Sequence, residues 1–209
     1  MGKREDNKAR KRTDLESAAQ ALFLAQGYVA TSIEQIVAEA GVARGTFYLY
    51  FDDKESLFHA LVSAALDPVV DALLDARLML EAADSAAETQ AAYDLLAAAL
   101  ATAVTAHPEA TLLFYREQRS PGPIGDWLRS RQMQLDQFVV ELVRSLADRG
   151  LIRATVPQVT ALAIVGAIDR LVYAWLSGVD LGDPVAVGPA IIGLFGEGLV
   201  RGDASALAH

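Results

Sequence analysis

A short cluster of polar and aromatic residues near the N-terminus carries the clearest chemistry in this sequence. Arg44, Gly45, Thr46 and Tyr48 lie within five consecutive positions. An arginine can donate two hydrogen bonds to O6 and N7 of guanine, and a threonine can contact a thymine methyl group or a phosphate. A glycine between them lets a backbone approach DNA closely, and a tyrosine suits a phosphate better than a base. The cluster therefore predicts contact with double-stranded DNA.

Four flanking residues complete the set of predicted DNA contacts: Thr31, Ser32, Tyr50 and Lys54. The ammonium group of Lys54 suits a phosphate oxygen, and the hydroxyl groups suit phosphates or base edges. A structural role competes with DNA contact for two of the four. Tyr50 adjoins Phe51 and suits a hydrophobic core, and Ser32 suits the cap of the helix that follows it.

No comparable group of residues in the sequence indicates catalysis or metal binding. The three histidines, His59, His107 and His209, stand far apart and form no ligand pair. The sequence contains no cysteine, which excludes disulfides, cysteine zinc sites and a thiol nucleophile. We therefore predict no catalytic residue, no metal and no cofactor, and a protein that is not an enzyme.

Two short helices, at about 33–40 and 43–50, must position the DNA-contacting cluster. Between them Gly41 frees the backbone for a tight turn, Val42 plugs the corner, and Phe47 faces inward. Such a corner sets the second helix into the major groove of B-DNA. An amphipathic helix at about 13–26 supplies the small core on which the pair packs.

Helical periodicity continues through the rest of the chain, and no alternating pattern is long enough for a β-strand. A connector helix is expected from about residue 54 to 83, bent near Pro68, and start signals at Pro108, Pro157 and Pro184 mark further helices. The sequence thus predicts an all-α fold of about nine helices. It comprises an N-terminal three-helix helix-turn-helix domain and a C-terminal helical domain.

The segment from Thr31 to Leu57 resembles the DNA-binding signature of the TetR (tetracycline-repressor) family of bacterial transcriptional regulators. The resemblance rests on GTFY at 45–48, YF at 50–51, KE at 54–55 and Leu57, which stand at the family's spacing. It covers roughly residues 13–60. It implies that residues 44–50 form the recognition helix and that Lys54 opens the connector helix at a phosphate. Ala43 departs from the family pattern, which commonly has a capping Ser or Thr worth about 0.5–2 kcal/mol.

Charge is distributed unevenly along the 209 residues, whose net charge is −9. Residues 1–12 contain six basic and two acidic residues, whereas residues 61–209 contain ten basic and eighteen acidic residues. DNA contact is therefore expected at one end only. We predict a basic flexible arm at 1–12, a DNA-binding domain at 13–60, and an effector-binding and dimerisation domain at 61–209. The arm either touches phosphates or only keeps the protein in solution.

The last two predicted helices, at about 157–176 and 184–199, are apolar around much of their circumference, more than one core face requires. A partner surface would account for this pattern. The family resemblance implies that these helices form a four-helix bundle between two subunits, and Gly166, Gly193 and Gly196 are small enough for close helix approach. A homodimer is also expected because one short recognition helix reads too few bases to be selective.

A pocket for a small molecule is predicted in the C-terminal domain from large apolar side chains accompanied by charged ones. The candidates are Tyr93, Phe114, Tyr115, Arg116, Trp127, Met133, Phe138, Asp169, Arg170 and Tyr173. The alternative is that these side chains only fill a core. Asp169 and Arg170 are the most informative pair, because they interrupt an apolar run and, as sequence neighbours, cannot pair side by side on a helix.

These observations favour a repressor that binds a palindromic operator as a homodimer and is released by a small apolar or amphipathic effector. The alternatives are a DNA-binding protein without an effector pocket and an all-helical enzyme that retains a DNA-binding domain. The basic N-terminus does not read as a secretory signal, so the cytoplasm is the expected location. The longest apolar runs, 12 and 11 residues at 95–106 and 185–195, are shorter than the ~20 residues that span a bilayer, so no membrane association is expected.

Overall fold

Eight α-helices make up the described part of the chain, which in this computed structural model comprises residues 3–152, 154 and 156–183. They are α1 (Lys3–Gln26), α2 (Ile33–Glu39), α3 (Arg44–Phe47), α4 (Lys54–Ala82), α5 (Ala86–Ala106), α6 (Pro108–Glu117), α7 (Pro123–Asp148) and α8 (Pro157–Leu176). No β-strand occurs among these residues, and the predicted all-α fold is confirmed. The ninth predicted helix, at about 184–199, lies outside the described residues.

The chain divides into two compact units, each assembled from segments that are separated in sequence. The first contains the residues up to Leu66 together with His107–Leu128, and the second contains Asp67–Ala106 and the residues from Arg129 onwards. The first unit thus includes the predicted DNA-binding segment and extends beyond it, adding α6 and the start of α7. The helix α4 contributes residues to both units, and Pro68 lies inside it.

One hydrophobic cluster fills the first unit. Phe23 of α1, Phe47 of α3 and Phe58 of α4 are fully buried in it, and the rings of Phe23 and Phe58 meet edge to face with centroids 5.5 Å apart. The helix α6 buries Leu113 and Phe114 in the same cluster. The apolar faces of α1 and α4 are therefore covered by a helix that lies far along the chain, which explains why the unit extends past the boundary expected at residue 60.

The N-terminal segment is helical from Lys3, which differs from the flexible arm expected at 1–12. The residues from Lys3 to Thr13 include no glycine or proline, and most of them are good helix formers. The Thr13 hydroxyl donates to the carbonyl of Ala9 (3.2 Å), so this threonine lies within a helix and does not cap a new one. Arg12 pairs with Glu16 one turn later (2.8 Å).

In the second unit, two small clusters of buried side chains join α4, α5, α7 and α8. Leu80, Ala92 and Leu146 belong to the first cluster, and the second cluster joins α7 to Ala161 of α8. The guanidinium of Arg149 donates to the carbonyls of Leu80 (2.5 Å) and Ala83 (2.7 Å). These bonds satisfy carbonyl groups at the C-terminal end of α4, which the helix itself leaves without partners.

Two helices of the described chain, α4 and α8, are long and apolar enough by length and composition to cross a bilayer, and the bent pair α5–α6 would meet the same test together. The uninterrupted apolar runs in the sequence did not indicate these helices, because isolated charges interrupt a run without making a helix polar. The two helices differ in what covers them. The helix α4 buries Leu57 and Phe58 in the core of the first unit. By contrast, α8 leaves Val159 and Leu162 exposed.

Candidate nucleic-acid interface

The helix α2 begins at a reciprocal cap formed by Ser32 and Gln35. The Gln35 backbone N–H donates to Ser32 Oγ (3.2 Å), and the Ser32 backbone N–H donates to Gln35 Oε1 (2.8 Å). Each bond satisfies an N–H group that the first turn would otherwise leave free. The structural role expected for Ser32 is confirmed, and its contact with DNA stays a prediction.

Gly41 makes the corner between α2 and α3. Its φ is +64°, a left-handed conformation that glycine adopts without a steric penalty. The Val42 N–H donates to the carbonyl of Val37 (3.0 Å), which closes the end of α2. Phe47 is fully buried, with its ring centroid 5.8 Å from that of Phe51. The predicted turn at Gly41 and the inward orientation of Phe47 are confirmed.

Single alanine substitutions at Gly41 and Gly45 should have opposite effects on the stability of the fold, and the substitution at Gly45 should also affect DNA binding. A Cβ at either position meets no atom within 4 Å, so backbone conformation decides the outcome. G41A forces a left-handed alanine and should lower the free energy of unfolding by about 1–2 kcal/mol. G45A lies in a helix and should raise it by about 0.5–1 kcal/mol. Chemical denaturation measures both shifts, and G45A should bind DNA more weakly despite its greater stability.

The helix α3 is shorter than the recognition helix expected at 44–50. It ends at Phe47 with Tyr48 as its C-cap, and the N–H of Tyr50 donates to the carbonyl of Phe47 (3.0 Å) in the turn that follows. Ala43 occupies the N-cap position with no side-chain hydrogen bond, so the missing cap inferred from the sequence is confirmed. An uncapped first turn stabilises a helix less, which agrees with the short α3.

The surface formed by α3 and the turn after it exposes Arg44, Tyr48 and Leu49. The Arg44 side chain is 62% exposed, and Tyr48 and Leu49 are 48% and 74% exposed. Gly45 is also exposed, whereas Thr46 and Tyr50 are half-buried. Leu49 is not among the predicted DNA contacts, although the sequence spacing indicates that it is exposed. It follows the buried Phe47 by two positions, which on a helix is roughly 200° around the axis.

Thr31 is a correction to the predicted DNA-contacting set, because its side chain belongs to the protein interior. The residue is 1% exposed, and its hydroxyl donates to the carbonyl of Gly27 (2.8 Å). Its Oγ1 also accepts a hydrogen bond from the side-chain amide of Gln26 (3.2 Å). The hydroxyl of Thr31 therefore fixes the turn between α1 and α2.

Lys54 also has a different role in the structure from the predicted phosphate contact. Its Nζ donates to the backbone carbonyls of Tyr28 (2.7 Å) and Thr31 (2.5 Å) and lies 4.2 Å from the centroid of the Tyr28 ring. Burial lowers the pKa of Lys54. The ammonium group is engaged by the protein itself, so we assign it to holding the α1–α2 turn.

The same turn is held by two side chains from the end of α6. Glu117, only 6% exposed, accepts a hydrogen bond from the backbone N–H of Tyr28 (3.1 Å) and another from the Ser120 hydroxyl. Arg116 donates to the carbonyl of Leu24 (3.0 Å). Burial, followed by the charges of nearby carboxylates, raises the pKa of Tyr28 to about 12. The sequence could not suggest these contacts, because they join residues that lie far apart in the chain.

An ion pair links α2 to α3 on the exposed side of the corner. Arg44 Nη1 lies 2.8 Å from Glu34 Oε1, and the Tyr48 hydroxyl also bonds the guanidinium. The bond to Tyr48, and then the charge of Glu34, raise the pKa of Arg44. A hydrogen bond from its own backbone N–H, and then the charge of Arg44, lower the pKa of Glu34. Both groups are therefore charged at neutral pH.

The ten predicted pocket residues divide between the two units. The first unit contains Phe114, Tyr115, Arg116 and Trp127, and of these Phe114 is buried in its core, with Tyr115 and Trp127 packed against it. The second unit contains Tyr93, Met133, Phe138, Asp169, Arg170 and Tyr173. Tyr93 packs against the cluster around Leu80, and Asp169 accepts from Gln132 (3.4 Å). The structure therefore does not gather the ten side chains within one unit.

Residues 15–61 match the sequence pattern described as "Bacterial regulatory proteins, tetR family". The match includes the second half of α1, the whole corner with the exposed cluster, and the start of α4. This segment of the chain is therefore similar to the DNA-binding region of that family. The resemblance inferred from the residues between Thr31 and Leu57 is confirmed.

Several transcriptional regulators resemble the chain to different extents. The repressor KstR2 of Rhodococcus jostii (strain RHA1) is 35% identical over 82 residues, which are 36% of this chain and 40% of that protein. YfiR of Bacillus subtilis (strain 168), an uncharacterized HTH-type transcriptional regulator, is 31% identical over 62 residues, 30% of each chain. These matches span less than half of either relative. The structure of NalD, the secondary repressor of the MexAB-OprM multidrug efflux pump in Pseudomonas aeruginosa, has a TM-score of 0.68 at 26% identity, covering 93% of this chain and 98% of that one.

Proposed function

We propose that this chain is a tetR-family transcriptional repressor that binds a palindromic operator as a homodimer and leaves it when a small apolar or amphipathic effector binds. The observation that carries the proposal is the exposed cluster of Arg44, Tyr48 and Leu49 on a corner held by Gly41. The names of its relatives support it, since KstR2 and NalD are both repressors. A regulator of this kind acts where the chromosome is, which in bacteria is the cytoplasm.

In the proposed complex Arg44 reads guanine, and the neighbouring groups position it. Thr46 and Leu49 contact thymine methyl groups or the backbone, and Tyr48 contacts a phosphate. Gly45 lets the backbone of α3 approach the groove. Ser32 and Tyr50 lie at the margin of this surface, where a phosphate is the partner their hydroxyl groups suit. Thr31 and Lys54 act indirectly by holding the α1–α2 turn.

Selection of binding sites from a pool of random duplexes tests the proposal. The protein should enrich a palindrome whose half-sites are separated by one helical turn, about 10 base pairs, because two recognition helices related by a two-fold axis meet the same groove face. A pool that shows no enrichment after repeated rounds would contradict the proposal. Enrichment of an unpaired half-site would instead contradict the homodimer.

The exposed apolar face of α8 supports the proposed homodimer. Val159, Leu162 and Tyr173 are exposed on this helix, and Gly166 is open to close approach. We propose that a second copy of the chain covers this face, because selective binding to DNA needs two half-sites and therefore two recognition helices. Gly193 and Gly196, the other predicted interface residues, lie outside the described residues.

Leu162→Asp should convert the dimer into a monomer. The residue is exposed in the isolated chain, so the substitution leaves the fold intact, but in an apolar interface it buries an unpaired carboxylate. Sedimentation velocity should show a halved mass. Leu95→Asp on α5, which also replaces an exposed leucine, is the control and should stay dimeric. A dimeric L162D would place the interface elsewhere, and recruitment of the protein to lipid vesicles through α8 would identify a membrane as the occupant.

The proposed effector contacts are the six candidate residues of the second unit. Binding of an effector weakens operator binding only if the effector prefers the arrangement that does not fit DNA, and typical couplings of this kind change affinity roughly 5- to 150-fold. The second candidate function is a DNA-binding protein that no small molecule releases. Operator release by members of a panel of apolar and amphipathic compounds distinguishes the two. The relatives of the chain named above are transcriptional regulators, which favours a protein that is not an enzyme over the third alternative, an all-helical enzyme that retains a DNA-binding domain.

A further inference from the structure

Glu34 is an acidic side chain on the surface that is expected to meet a polyanion. It is 58% exposed at the start of α2, and its carboxylate lies 2.8 Å from Nη1 of Arg44, the residue expected to read a base. Glu34 is not among the DNA contacts predicted from the sequence. A carboxylate at this place opposes DNA binding in general, so its pairing with Arg44 calls for a physical explanation.

We propose that Glu34 determines specificity by holding the Arg44 guanidinium away from phosphates while leaving part of it free for guanine. This inference rests on the proposed function, because it concerns how the operator is distinguished from other DNA. Glu34 acts through Arg44 and is therefore a positioning residue.

The chemistry of arginine explains why such a partner is useful. A guanidinium has five N–H donors and pairs strongly with phosphates, which every DNA sequence presents. An unpaired Arg44 would therefore add affinity for any duplex. With Glu34 on Nη1 and the Tyr48 hydroxyl as a second acceptor, its charge is balanced before DNA arrives. The remaining N–H groups can still donate to O6 and N7 of guanine, which only the correct site presents.

The carboxylate of Glu34 takes no part in the reciprocal cap at the start of α2. Hydrogen bonding by its own backbone N–H, and then the charge of Arg44, lower the pKa of Glu34 and favour the charged carboxylate. The cap itself is formed by Ser32 with Gln35. A glutamine at position 34 would retain an oxygen acceptor and a good helix former but would lose the charge. Glu34→Gln therefore tests the ion pair without removing the cap.

The experiment compares binding of the full chain to two labelled duplexes, one enriched by the wild type from a random pool and one scrambled, over a series of salt concentrations. E34Q should bind the scrambled duplex roughly 3- to 10-fold more tightly, with a salt slope steeper by about 0.9, the value for one additional phosphate contact. Affinity for the enriched duplex should stay near the wild-type value, so the ratio of affinities for the two duplexes should fall by roughly 3- to 10-fold, within the discrimination that one bidentate contact provides. In an R44A background the same substitution should not steepen the slope.

Glu39→Gln is the matched control. Glu39 is exposed on the same helix, and among the described residues no cation pairs with it. E39Q should raise both affinities alike and leave their ratio unchanged. If E34Q behaves as E39Q does, or steepens the slope equally without Arg44, the effect is one of net charge and the inference is overturned. If the wild type enriches no sequence, the proposed function fails instead.

Discussion

Arg44→Ala is expected to weaken binding to the selected operator by roughly 5- to 150-fold while changing binding to scrambled DNA by no more than about two-fold. The range corresponds to the loss of one bidentate contact with guanine. Scrambled DNA is little affected because the guanidinium, balanced by Glu34, adds little affinity for phosphates, and the small remaining loss comes from leaving the Glu34 carboxylate unpaired. Fluorescence anisotropy with both duplexes at one salt concentration measures the two affinities together.

Two further variants serve as controls for Arg44→Ala. Arg44→Lys keeps the charge but lacks the planar fork, so it should recover little of the lost discrimination. Arg144→Ala removes the same charge from an exposed position on α7 and should leave the affinity ratio unchanged. A proportional loss of affinity for both duplexes in R44A would mean that Arg44 binds a phosphate, and direct reading of guanine would then be wrong.

Leu113→Ala is expected to lower the free energy of unfolding by about 2–5 kcal/mol, because the side chain is fully buried and its removal leaves a cavity. For a chain of this length that loss lowers Tm by about 4–20 °C. Leu113 lies on α6, outside the segment that matches the tetR pattern, yet it packs in the same core as the corner that we propose to contact DNA. Operator binding should therefore be lost at a lower temperature in the variant, which anisotropy during heating measures.

Leu78→Ala is the control for this substitution. Leu78 is exposed on α4, so its truncation should change stability by less than about 0.5 kcal/mol. An unchanged Tm in L113A would show that α6 is not part of the core in solution. A lowered Tm with operator binding lost only at the wild-type temperature would show that α6 folds separately from the corner.

The corner itself could be predicted from the sequence because its determinants are local. Gly41 must adopt a left-handed φ, Phe47 must face inward, and both requirements are visible within a few positions. The exposed side chains of Arg44 and Tyr48 follow from the same periodicity. The C-terminal end of α3 could not be predicted in the same way, because the turn at Tyr50 depends on packing against the core as well as on helix propensity.

The roles of Lys54 and Glu117 could not be predicted, because they depend on contacts between distant segments. A lysine at the start of a connector helix suits a phosphate, and only the folded chain brings the carbonyls of Tyr28 and Thr31 within its reach. Likewise, Phe114 and Trp127 have the composition of a pocket wall. Their place in the first unit follows from α6 covering α1 and α4, which no local pattern encodes.

Because the first unit is assembled from two separated segments, its core cannot be completed until α6 has been synthesised on the ribosome. Tyr28 and Glu117, which hydrogen-bond to each other, are 89 positions apart. At roughly 5–20 residues per second, synthesis takes roughly 4–18 s to travel from one to the other. From the time each is synthesised until α6 follows, the apolar faces of α1 and α4 lack the helix that covers them and are open to chaperones and proteases. An aborted chain that ends before Leu113 keeps those apolar faces uncovered, and we expect it to be degraded sooner than the full chain.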